Sequence, residues 1–285
     1  MTESRGYVDR AYLRCAEELL RSVKEQSYAR MRVEPGHKVL DVGCGPGTDT
    51  LPLAERVGAA GMVLGIDSDS AMLIAADLRA RQARLSTWVS HQCGSAMSLP
   101  VRSEYFDASR CERLFQHLPD PERALKEMVR VTRRDGWVVV LDTDWGTLSM
   151  HSKEVEIERR LARLHAERLL YNGYAGRQLY HLFRRQRLVD IRINLYPVYL
   201  VELAQVRELT VLDETEREAL NLGLLSSTEL ERWHASLAEI EAEGGLFCSA
   251  TLVMVAGRKP WAGCDPFAAQ AGRTQRPGVS SDGAG

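Results

Sequence analysis

The sequence has no apolar run long enough to span a membrane. It also has no cysteine framework: Cys15, Cys44, Cys93, Cys111, Cys248 and Cys264 are scattered, with no C-x-x-C pair. That spacing argues against a disulfide-stapled domain or a structural zinc site, and fits free thiols in a reducing compartment. Neither sign of charge dominates, with 37 Lys and Arg against 39 Asp and Glu. A net charge of −2 projects no long-range attraction for a polyanion, so no nucleic-acid partner is expected. The opening Met-Thr-Glu-Ser-Arg-Gly lacks the basic-then-apolar layout of a secretory leader, and no internal repeat is visible. The expectation is a soluble cytoplasmic protein, with homo-oligomerisation left open. Hydrophobic residues make up 45% and charged residues 27% of 285, ordinary values for one large domain or a domain with a cap.

The segments alternate. Residues 7–31 carry helical periodicity, and Glu34-Pro-Gly turns the chain into an apolar strand over 38–42. Further strands are expected at 62–67, 88–92, 106–111 and 137–142, the last ending in an acid. Helices are expected after Gly47, over 70–83, and after Asp120-Pro-Glu, which supplies an N-cap acid followed by proline at the first helical position. Strands and helices alternating in this way predict a doubly wound parallel sheet of the α/β class. Charged helices follow over 153–170 and 176–187, the first with an expected Glu156–Arg160 pair. A sixth strand is read over 189–195 and a seventh over 249–256. The block between them, about 197–245, reads as a helical cap containing a capping box at Ser226–Glu229. The expected division is a single domain over 1–260, with an N-terminal helical segment over 1–33 and a disordered tail over 261–285.

The richest signal is Val39-Leu-Asp-Val-Gly-Cys-Gly-Pro-Gly47. An apolar strand feeding glycines at 43, 45 and 47, with a helix behind them, lets backbone approach a nucleotide-like ligand closely. Asp67 ends the second strand, where an acid can hold both ribose hydroxyls. Two features argue against a dinucleotide: position 48 is Thr where G-x-G-x-x-G needs glycine, and Asp41 would repel pyrophosphate. A carboxylate there suits an α-amino group, which selects S-adenosylmethionine as the ligand.

Across roughly residues 35–145 the sequence resembles the class I S-adenosylmethionine-dependent methyltransferases, and most closely the quinone-biosynthetic and natural-product group. Val39–Gly47 resembles the first family motif and Gly65-Ile-Asp-Ser-Asp-Ser-Ala-Met-Leu73 the second. The resemblance implies a Rossmann-like seven-stranded sheet with strand 7 antiparallel. It also implies cofactor contacts from Asp41, Gly43, Gly45, Gly47 and Asp67, with Ser68 and Met72 beside the adenine. Gly94-Ser-Ala96 stands where the family has Gly-Asp-Ala, so Ser95 and Ala96 fall at the adenine contact with a hydroxyl replacing the usual carboxylate. Cys111 falls under the methionine portion, and His117 where related enzymes face substrate.

Asp142 and Asp144 share a face of the fifth strand, and Asp142 is a candidate to orient His117, to meet substrate or, equally, to cap a loop. Tyr12 and Tyr28 could cover the cofactor, and Tyr171 and Tyr174 could close over substrate. No metal is expected. The reading is methyl transfer from S-adenosylmethionine, leaving S-adenosylhomocysteine, to a medium-sized, largely apolar small molecule. His117 and Asp142 are the candidate catalytic pair. The alternatives are a cofactor-binding cyclase or regulatory protein, an RNA or protein methyltransferase, and a nicotinamide-dependent oxidoreductase.

Overall fold

The computed structural model describes residues 19–261. Tyr12, the start of the first helix, and nearly all of the expected tail lie outside them.

The parallel strands are β1 (Lys38–Val42), β2 (Met62–Asp67), β3 (Val89–Cys93), β4 (Phe106–Glu112) and β5 (Thr132–Met150). With β6 (Val189–Leu200) and β7 (Cys248–Arg258) they make one sheet in the order β3-β2-β1-β4-β5-β7-β6. Strand β7 runs antiparallel to both β5 and β6. The predicted α/β, Rossmann-like seven-stranded sheet is therefore the observed one. On one face α1 (Arg21–Arg30), α2 (Thr50–Val57) and α3 (Ser70–Gln82) bury Val39, Val63, Val139 and Met254. On the other, α4 (Pro121–Val131) and α6 (Ala175–Arg185) close over Val42, Ile66, Val140 and Val255. The central strands are apolar on both sides because helices cover both.

Local signals place several ends. Asp120 caps α4 through its contact with Arg123 N–H at 3.0 Å, with Pro121 at the first helical position. The capping box at Ser226 and Glu229 opens α9 (Ser227–Ala242).

The cap differs from its expectation. Strand β5 does not stop at Asp142 but continues to Met150, lying against β7. That extension packs with α5 (Val155–Leu164), α7 (Leu203–Leu209), α8 (Leu212–Asn221) and α9 around Trp233, forming a second apolar core beyond the sheet's C-terminal edge. The cap is thus drawn from both sides of β6, not from 197–245 alone. Residues Trp145, Leu148 and Met150 alternate into that core, and burying them outweighs ending the strand at an acid. Arg160 likewise keeps only a main-chain contact to Glu156, at 3.4 Å, and forms its ion pair with Glu229 at 2.6 Å, tying α5 to α9.

Candidate functional site

Where β1 ends, Gly43, Gly45 and Gly47 all have positive φ, at 70°, 50° and 77°. L-residues rarely adopt this conformation, so the turn is specified by residue type. The two later glycines are constrained differently. A Cβ at Gly47 would lie 3.0 Å from Ala76 Cβ on α3, whereas one at Gly45 would project into open space. Gly45 therefore presents bare backbone outward, the property a ligand cradle requires. Its N–H donates to Asp67 Oδ2 at 2.8 Å, and Asp69 N–H donates to Oδ1 at 2.9 Å. Asp67 is thereby held at the tip of β2 beside the glycine turn, with further acceptor capacity on each oxygen. Ser68 is exposed on the same rim and Met72 is buried in the first turn of α3. Ser95 is exposed, but its hydroxyl already accepts from Met97 N–H at 3.2 Å; Ala96 is partly buried.

Beneath the turn lies a buried charge cluster that the sequence reading missed. Sheet register sets Asp41 beside Arg110 of β4. Arg110 is fully buried, and its guanidinium reaches Asp49 at 2.9 Å, Glu112 at 2.8 Å and Asp41 at 3.5 Å. From α1, Lys24 reaches Asp49 at 2.8 Å and Glu112 at 2.9 Å, and the Tyr28 hydroxyl donates to Asp49. Asp49 stands at the N-cap of α2 without capping it, because its carboxylate is engaged by these three groups. Burial raises its pKa, but Arg110 and Lys24 overcome that and hold it well below the usual carboxylate range. Asp41 moves the other way. Burial, then the charges of Asp49 and Glu112, raise its pKa to about 7 against the opposing pull of Arg110 and Lys24. Its Oδ2 and the Nε of Arg110 are buried with no hydrogen-bond partner among the described residues. Three carboxylates thus share Arg110, Lys24 and, 3.4 Å from Glu112, Arg113; Asp41 has the longest of these contacts, 3.5 Å to Arg110. An Arg at a core position of an otherwise buried strand was the available signal for the cluster.

The second group of residues lies where β4 and β5 end under the cap. Asp142 is fully buried and accepts from Thr143 N–H at 2.9 Å, Phe115 N–H at 2.7 Å and Gln116 N–H at 3.3 Å. Of the roles expected for it, this is the loop-capping one: its carboxylate ties down the 3₁₀ turn Phe115–His117. The His117 ring is held by its neighbour. The Trp145 indole can only donate, and it donates to Gln116 Oε1 at 2.8 Å. Gln116 Nε2 must then donate to His117 Nε2, 2.9 Å away, which leaves the neutral imidazole with its proton on Nδ1. That Nδ1 is buried without a partner among the described residues. Burial and then Arg113 lower the ring's pKa to about 4. In this geometry the neutral His117 ring presents an Nδ1–H donor, while its Nε2 lone pair is taken up by Gln116.

Other expected residues divide similarly. Cys111 is fully buried against the α4 side of the sheet, so only its main chain is available at the rim. Tyr28 belongs to the charge cluster. Asp144 is engaged by Arg177 of α6 at 2.8 Å, and Tyr174 stacks under the same arginine. Beside the β4 and β5 ends, Arg113, Thr143 and Trp145 meet Leu209 of the cap and Leu20 before α1 around a cleft of about 490 Å³, mostly apolar in its lining.

Residues 40–140 match the methyltransferase domain family, spanning the glycine turn, Asp67, the charge cluster and the His117 turn. The chain carries a class I S-adenosylmethionine-dependent methyltransferase domain. A curated relative is 34% identical over 82% of this chain and 66% of its own length: an uncharacterized 37.1 kDa protein in transposon Tn4556 of Streptomyces fradiae. The demethylmenaquinone methyltransferase of Lactobacillus johnsonii is 34% identical over 44% of this chain and 51% of its own length. This chain thus spans between half and two thirds of the length of these relatives. The crystal structure of YcgJ from Bacillus subtilis shares the fold at a TM-score of 0.60 and 17% identity, covering 86% of this chain and 100% of that one. The methyltransferase match ends at residue 140, so the cap lies outside it.

Proposed function

We propose that the protein binds S-adenosylmethionine in the glycine cradle and transfers its methyl group to a medium-sized, largely apolar small molecule held in the rim cleft. The observation that carries this reading is Asp41. A buried carboxylate with an orphaned oxygen and a single long contact to a guanidinium fits a ligand bearing an α-ammonium group. Asp67, held by two backbone amides at the tip of β2 with acceptor capacity to spare, supports a role in holding ribose hydroxyls, and Gly45 leaves room for backbone to approach. The cofactor supplies an electrophilic methyl on a sulfonium, whose charge is quenched as the methyl leaves.

What the protein contributes is placement. Holding nucleophile and methyl in line is worth roughly 7–11 kcal/mol. Trp145 and Gln116 orient His117 so that its Nδ1–H can donate to an oxygen of the acceptor, while the cap keeps water out. Placing a donor there assists an acceptor whose oxygen orients or carries charge, such as a quinol-type ring. The similarity to a demethylmenaquinone methyltransferase is in keeping with that class. The domain acts as one functional unit in which the cap selects the acceptor.

The decisive experiment is calorimetric. Wild-type protein is expected to bind S-adenosylhomocysteine, and Asp67→Ala to lose that binding with thermal stability little changed. Equal affinity in the variant would remove Asp67 from the site. Formation of S-adenosylhomocysteine only when an acceptor is present separates methyl transfer from a non-methylating cofactor-binding role.

A further inference from the structure

A second, smaller pocket lies in the cap core, and Leu148 and Thr210 line both it and the rim cleft. Its walls are largely apolar, from Met150, Leu161, Leu212 and Trp233 among others, with Glu158 and His165 as its ionisable members. Most polar groups on that wall are already engaged. Glu158 accepts from Met150 N–H at 2.9 Å and pairs with Arg159 at 3.2 Å. The Thr210 and Thr215 hydroxyls donate to the carbonyls of Val206 and Val211, at 2.8 and 3.1 Å.

His165 is the exception. It is 2% exposed, and its Nδ1 lies 3.4 Å from Thr215 Oγ1. The hydroxyl proton of Thr215 is committed to Val211, so that oxygen can only accept, and Nδ1 must carry the imidazole proton. Nε2 is then a bare lone pair, buried in the pocket wall with no partner among the described residues. Burial lowers the pKa of the ring to about 4, so it stays a neutral acceptor at physiological pH. A second observation marks the same residue. Helix α5 gives way at His165 to a π-helical turn, His165–Leu169, a rare feature that is frequent at functional sites. The ring is further fixed by an edge-on contact with Trp145, centroids 4.5 Å apart, and Trp145 also lines the rim cleft.

We propose that His165 Nε2 accepts a hydrogen bond from a hydroxyl or N–H group at the far end of the methyl acceptor, whose apolar body occupies the rim cleft. The site makes this chain selective for acceptors carrying a donor group remote from the reacting atom. An apolar group in its place would leave a buried lone pair unpaired, the arrangement that gives hydrogen-bonding sites their discrimination. The proposal rests on the methyltransferase reading only in taking the ligand to be the methyl acceptor.

The test uses two isosteric probes, 2-naphthol and 2-methylnaphthalene, titrated into the full chain saturated with S-adenosylhomocysteine. The ratio of their affinities is expected to favour 2-naphthol by about three- to tenfold more in wild type than in His165→Leu. An unchanged ratio overturns the proposal. In ¹⁵N-labelled wild type, the His165 Nε2 resonance is expected to move on adding 2-naphthol and not 2-methylnaphthalene. A resonance that stays in place means the lone pair meets only buried water, which also overturns it; this measurement stands even if His165→Leu fails to fold. Titrating S-adenosylhomocysteine itself in the same samples keeps the two readings apart. Loss of cofactor binding with the 2-naphthol preference intact would count against the methyltransferase reading while supporting the His165 site.

Discussion

Cofactor binding should be linked to a proton at Asp41. Without a ligand, burial and the neighbouring carboxylates of Asp49 and Glu112 hold the Asp41 pKa at about 7. An α-ammonium ligand demands the ionised form, so below pH 7 each binding event must expel the proton first. The sign follows: the group is protonated before binding and charged after it, so affinity rises with pH up to the free-state pKa and then levels. The expected loss is about twofold at pH 7, about tenfold at pH 6 and about a hundredfold at pH 5. Above roughly pH 8 the ligand's own amino group loses its proton, so affinity should peak between the two limits. Calorimetry of S-adenosylhomocysteine in paired buffers of different ionisation enthalpy reads both quantities. About one proton should be released per ligand near pH 5.5. Asp41→Asn should bind more weakly at pH 7.5 and lose the acid arm of the profile. Asp142, whose pKa burial likewise raises to about 7, is unchanged in that variant and serves as an internal control. A flat wild-type affinity between pH 5.5 and 7.5, with no proton release, would refute the reasoning.

Gly45→Ala and Gly47→Ala share the cost of a positive φ, roughly 1–2 kcal/mol, but should separate in effect. The first should lose cofactor affinity with modest loss of stability. The second, pressed against Ala76, should lose more stability, as thermal unfolding of the two proteins will show. Arg110→Met removes the guanidinium that Asp41, Asp49 and Glu112 share, leaving only Lys24 and Arg113 to face them, and should destabilise the fold by roughly 3–5 kcal/mol in denaturant unfolding. Gln116→Leu frees His117 Nε2 and should shift the tautomer seen by ¹⁵N resonance, with turnover of a quinol-type acceptor falling further than cofactor affinity. A tautomer unchanged in that variant would mean that Gln116 does not set it.

Much of the fold was legible because its signals are local. Glycines that need positive φ, an acid at the tip of β2, a proline after Asp120 and a capping box at Ser226 act within a few residues of themselves, and each stands where expected. The continuation of β5 was not legible, because the run from Thr143 to Met150 becomes strand only by pairing with β7, about a hundred residues further along the chain, and by packing against the cap helices. Asp142 illustrates the same limit. Its position on β5 is local, but the amides it satisfies belong to a turn that precedes it by 26 and 27 residues.

The sequence by itself determined the sheet, the glycine turn and the acids at 41 and 67, since periodicity and backbone conformation write themselves into residue type. Tertiary structure alone decided what those acids face and how the histidines present themselves. Register put Arg110 beside Asp41, and α1 carried Lys24 into the same buried core. Trp145 and Thr215, both distant in sequence, fixed which nitrogens of His117 and His165 bear protons. Charge balance and tautomer are properties of a three-dimensional neighbourhood, where burial magnifies each partner's effect.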